Sequence, residues 1–104
     1  MAGLFRVKIM NMGEERIVSV CDEELLGKVL VDEKRKIKIR IDEPFYGGDL
    51  MELDEALEVI SSSTQANLIG NRIVEAAIER GLVIREGVIE IAGVKHTQII
   101  LDKV

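Results

Sequence analysis

The chain has 104 residues and a mass of 11.6 kDa, with 47% hydrophobic and 32% charged residues and a formal net charge of -5. That is room for one domain, 1-104, around one core, and too much apolar side chain for a disordered segment. An acidic balance excludes a surface that is basic throughout but leaves room for a local basic face.

Other exclusions come from single residue types. Trp is absent, so the core must be aliphatic. A single cysteine, Cys21, leaves no internal disulfide, and a single histidine, His96, cannot build a His-rich metal site. No metal and no cofactor are expected. The longest apolar runs, such as Thr97 to Leu101, fall far short of the ~20 residues that span a bilayer. Arg6 and Lys8 interrupt the apolar start, so no membrane partner and a cytoplasmic location are expected.

In chain order, Leu4 to Met12 alternates, with Phe5, Val7 and Ile9 on one side and Arg6 and Lys8 on the other, the period of a half-buried strand. The β-branched run Arg16 to Cys21 reads as its hairpin partner across Gly13 and Glu14. An even loop there places Val18 and Val20 on the Phe5 side. In "CDEELLGK", Asp22 and two glutamates suit the start of a short helix and Gly27 its end. Val29 to Val31 and Lys36 to Ile41 read as a second hairpin. Ile37, Ile39 and Ile41 face a core there, Lys36, Lys38 and Arg40 face away, and Pro44 ends the strand. After a loop around Tyr46, Asp54 to Ser61 reads as a helix capped by Asp54. A main helix is expected from about Ser63 to Arg80, with Ala66, Ile69, Gly70, Ile73, Val74, Ala76 and Ala77 buried and Leu68 exposed. A last hairpin joins Val88 to Ile91 and Thr97 to Leu101. This order predicts an α+β domain, two helices on an antiparallel or mixed sheet of about five or six strands.

Few residues carry obvious chemistry. Cys21 reads as a packed thiol, the alternative being a nucleophile activated near Arg6. The acidic pairs read as caps and a solvated strand end. "EPFYGGDL" is either a plug, with Phe45 under the sheet and Tyr46 over its edge, or the rim of a site. In the second case Gly47 and Gly48 turn backbone N-H groups to a ligand and Tyr46 offers a ring face. Asn67, Arg72, Gly93, His96 and Gln98 are the other candidate site residues. Arg6, Lys8, Lys36, Lys38 and Arg40 form one basic stripe if the first and fourth strands are neighbours, and a solvated face otherwise.

The segments "CDEELLGK", "FYGGDL", "ANLIGNRIVEAAIERGLV" and "IAGVKHTQ", in this order, resemble an archaeal family known as domain of unknown function 424. The similarity runs over nearly the whole chain. The family's last motif often reads Gly-Val-Pro-His-Ala-Gln, from which Lys95 and Thr97 depart. The resemblance implies an archaeal cytosolic protein in the company of translation genes, but no activity. Its motif positions are Cys21, Asp22, Gly27, Phe45, Tyr46, Gly47, Gly48, Asn67, Gly70, Arg72, Gly93, His96 and Gln98.

Three functions are expected in order. The first is a non-enzymatic binding module for RNA or the ribosome. The second is a small enzyme or ligand-binding protein with a pocket at Tyr46, Asn67, Arg72 and His96. The third is a protein-interaction or oligomer subunit using Leu68 and the edge strands.

Overall fold

The computed structural model describes residues 3-101. Eight strands and three helices follow one another as β1 (Phe5–Met12), β2 (Glu15–Asp22), β3 (Val29–Asp32), β4 (Ile37–Arg40), α1 (Glu43–Tyr46), β5 (Asp49–Met51), α2 (Leu53–Ser61), β6 (Gln65–Ile69), α3 (Asn71–Glu79), β7 (Ile89–Ile91) and β8 (Val94–Ile100). Short 3-10 turns lie at Glu23–Leu25 and Arg85–Gly87. Six strands form one mixed sheet in the order β5-β1-β2-β6-β8-β7, and β3 and β4 form a separate ribbon. Strands β2 and β6 run parallel. The expected α+β class and six-stranded mixed sheet are both present.

The first hairpin turns on the two residues Gly13 and Glu14, with Gly13 at φ 63°. That even loop sets Val20 opposite Val7 and Val18 opposite Ile9. Side chains then alternate between two faces. One face carries Phe5, Val7, Val18, Val20, Ala66, Leu68 and Ile99, and packs on Ala56, Leu57 and Ile60 of α2 and Ile73, Val74 and Ala77 of α3. The opposite face carries Arg6 and Lys8, Ser19 and Cys21, Asn67 and Ile69, and His96 and Gln98, in register across β1, β2, β6 and β8. Its Cys21 and Ile69 end lies in a second, smaller core with Ile41 and Tyr46, flanked by Leu30 and Ile39 of the ribbon.

Four expectations are corrected. The helix from Ser63 is instead strand β6, a break at Gly70 and then α3. Ala66, Ile69, Gly70 and Ile73 fit a helical period, but Ala66 and Leu68 also fit a strand, and the slot between β2 and β8 decides it. Gly70 has φ 131°, outside any helix, and its backbone fits against the Asp22 carboxylate where a Cβ would collide. Leu68 is consequently buried, not exposed. Asp22 does not cap its own turn: it accepts from the backbone N-H groups of Arg72 and Ile73 at 3.0 Å and closes the start of α3. Residue Glu52, not Asp54, occupies the cap position of α2.

Candidate functional site

The 43-48 segment is a one-turn helix started by Pro44, followed by an edge strand. The two rings exchange their expected places: Tyr46 is buried and Phe45 is exposed, in edge-to-face contact at 4.8 Å. Tyr46 fills the second core together with Ile41, Cys21 and Ile69. Burial, with Cys21 and Asp42 nearby, pushes its hydroxyl up to about 12. A buried ring cannot stack a base. The N-H groups of Gly47 and Gly48 are also committed, donating to the carbonyls of Glu43 at 2.8 Å and Tyr46 at 2.9 Å. Their small size has another use: a Cβ on Gly48 would run into the Val7 carbonyl, so the glycine lets β5 cross close to β1.

Cys21 lies in the same core, fully buried. Burial first, and then Asp22, pushes its thiol up to about 12, with Arg6 opposing. It remains protonated at neutral pH, so the packed reading holds over the nucleophile.

Arg72 is occupied at the same end of β2, beside Asp22. Its guanidinium donates to Glu24 at 2.6 Å and to the Leu4 carbonyl at 3.3 Å, and lies 4.7 Å from the centre of the Phe5 ring. The hydrogen bond from Arg72 holds the Glu24 carboxyl below its ordinary value. Burial pushes the Asp22 carboxyl upward, offset in part by the two N-H groups it receives and by Arg72. Gly93 belongs to another local structure, the two-residue turn Ala92-Gly93 between β7 and β8, both at positive φ. Asn71 ties this turn down by accepting from the Lys95 N-H at 2.8 Å.

Three expected site residues do come together. Asn67 pairs with Gln98 across β6 and β8, and His96 is the next residue along β8 on the same face. Diagonal neighbours of this kind lie about 7–8 Å apart. His96 is half-buried, and burial lowers its imidazole below the ordinary 6.5. Arg72 and Tyr46 do not join this group at the surface.

The basic residues divide in two. Strand β1 is flanked by β2 and β5, so β4 is not its neighbour and the five-cation stripe is not formed. Arg6 and Lys8 lie on the sheet face, with Arg6 donating to the Gly48 carbonyl at 3.2 Å. Lys36, Lys38 and Arg40 are exposed on the outer side of the ribbon. Lys38 lies opposite Val31 and Arg40 opposite Val29, so neither faces a carboxylate across the ribbon. Ion pairs among the described residues use Arg72, Arg80, Arg85 and Lys95, none of them on the ribbon. Asp32 is engaged by the N-H groups of Arg35 and Ala92, each at 3.0 Å, which fixes the ribbon to the β7-β8 turn. A recess of about 300 Å³ opens beside Val31, Asp32, Glu33, Lys36, Ile37 and Lys38.

A family model described as a protein of unknown function, DUF424, matches residues 10–101. The chain belongs to the DUF424 family. It is similar in structure to an uncharacterized conserved protein from Methanopyrus kandleri, seen in a crystal structure, at 26% identity and a TM-score of 0.79. That alignment covers 98% of this chain and 96% of the other. No curated protein matches the chain.

Several motif positions of this DUF424 chain therefore have structural duties: Asp22, Gly70 and Arg72 join β2 to α3, and Gly93 turns a hairpin. Sequence reasoning missed Ser19, which is buried beside Asn67 on the sheet face with its hydroxyl unpartnered among the described residues. The signal for it was present in the alternation of β2, which set Ser19 beside Lys8.

Proposed function

We propose that the protein is a non-enzymatic binding module that holds RNA on the outer face of the β3-β4 ribbon. The observation that carries this reading is the pairing of Lys38 with Val31 and Arg40 with Val29, which leaves two exposed cations with no carboxylate opposite them across the ribbon and no ion pair among the described residues. Residues 28-40 hold Lys28, Lys34, Arg35, Lys36, Lys38 and Arg40 against Asp32 and Glu33, a positive segment in a chain of net charge -5. Exposed cations along a short ribbon track a phosphate backbone, and the acidic remainder of the chain repels it, so binding is confined to one face. Without a surface tyrosine, recognition rests on phosphates and is weakly dependent on sequence. A cytoplasmic site of action on ribosomal RNA, in an archaeal cell, accords with this reading. No helix of the described residues is long and apolar enough to cross a membrane.

The test is co-sedimentation with ribosomes and total RNA at low and high salt, beside a Lys38→Glu, Arg40→Glu double variant. The expected result is binding that is lost at high salt and in the variant. Equal retention of the variant, or no binding at low salt, would reject the ribbon as an RNA face.

A further inference from the structure

The ribbon and α1 cover the Cys21 and Ile69 end of the sheet face opposite α2 and α3. Beyond that cover, one row of hydrogen-bonding side chains crosses four adjacent strands: Lys8 opposite Ser19, Ser19 beside Asn67, and Asn67 opposite Gln98. At the spacing of neighbouring strands this row extends over about 14 Å. Two polar atoms of this face are buried without a partner among the described residues, the Ser19 hydroxyl in the row and Arg6 Nε beside it. Ser19 is 1% exposed. Buried polar atoms in folded proteins are nearly always paired, and those that are not call for an explanation.

We propose that Lys8, Ser19, Asn67 and Gln98, supported by Arg6, form a binding site for a small oxyanion, a carboxylate or a phosphate. The charge on this part of the face comes from Arg6 and Lys8, while the hydroxyl and the two carboxamides supply further donors. Asp49 lies at the rim of the recess beside Lys8, which has a volume of about 360 Å³, but it is in register with Val7 and so belongs to the helix side of the sheet. Lys8 and Asn67 flank Ser19 and are half-buried, so on this proposal a ligand reaches the hydroxyl by displacing one of these two side chains. The imidazole of His96, adjacent to Gln98 on the same face, borders the site as a further neutral group. This site is independent of the RNA reading: it uses the sheet face, and the ribbon has no part in it.

The experiment is a titration of isotope-labelled protein, followed by NMR, with inorganic phosphate and with succinate in separate arms at constant ionic strength, and with chloride as control. Saturable shifts of the Asn67 and Gln98 side-chain amides are expected with at least one oxyanion, and the stronger arm identifies the class. Binding should weaken at least tenfold in Lys8→Gln and in Ser19→Ala. Ser19→Ala should also melt higher than the parent when free, because it removes a buried hydroxyl that has no partner. Shifts that do not saturate, that also appear with chloride, or that persist unchanged in Lys8→Gln would overturn the site. A lower melting point for Ser19→Ala would overturn the premise that its hydroxyl is unsatisfied. Retained RNA binding in Lys8→Gln is expected in either case, so failure here leaves the ribbon reading testable by itself.

Discussion

Asp22 and Gly70 make one joint. The carboxylate receives the N-H groups of Arg72 and Ile73 in the first turn of α3, and the glycine, at φ 131°, leaves it room. Replacing Asp22 by Asn leaves one of those N-H groups facing an NH2 donor, so Asp22→Asn should lose about 1–3 kcal/mol in chemical denaturation. Gly70→Ala should lose more than about 1 kcal/mol, because the backbone angle and the missing space both oppose a Cβ. If either variant unfolds at the parent's midpoint, the joint is not what starts α3. His96 gives a pH dependence. Its imidazole is held below 6.5 by burial, so the unfolded chain takes up a proton first as pH falls. Stability should therefore fall as pH drops below about 6.5, and His96→Gln should remove that part of the loss. Asp22 acts in the opposite sense: its carboxyl is raised above 3.8, so its protonation favours the fold as pH falls toward that value. Comparing melting curves of parent and His96→Gln between pH 7 and 5 separates the two; parallel curves would contradict the burial of His96.

At the scale of elements, α1 is the part whose role changed most. Tyr46 is its inward residue and Phe45 its outward one. Tyr46→Ala should cost about 3 kcal/mol or more, as for other buried rings, and Phe45→Ala under about 1 kcal/mol. The reverse order in thermal melts would contradict the second core. β1 and β4 were legible from their two-residue alternation and β2 from its β-branched run. β6 was not. Its five residues satisfy both periods, and its parallel pairing with β2 is a long-range contact that no local pattern encodes. The candidate site was legible to the same extent. Of the expected group, Asn67, His96 and Gln98 share one sheet face while Tyr46 and Arg72 lie elsewhere, and Asn67 lies on a strand, not in the expected helix. Arg72 was misplaced because a side chain engaged by Glu24 and Phe5 looks like any exposed arginine in sequence.

The molecule as a whole separates its charges. Its positive segment, residues 28-40, folds into a ribbon outside the main sheet, held by apolar contacts at Leu30 and Ile39 and by Asp32 at the turn. The acidic remainder keeps the net charge at -5. Separation of this kind gives a protein with a low pI one face for a polyanion without making the entire surface adhesive. The sheet face with Lys8 and Asn67 is a second, smaller feature, distinct from the ribbon in both position and chemistry. The most direct measurement of the central claim is the salt dependence of binding to a fluorescent single-stranded RNA, for the parent and for Lys38→Gln. If Lys36, Lys38 and Arg40 each neutralise one phosphate, the logarithm of the binding constant should fall against the logarithm of salt with a slope of about -2, reduced by about 0.7 in Lys38→Gln. A slope unchanged by Lys38→Gln would place any bound RNA elsewhere, and no binding at low salt would contradict the account outright.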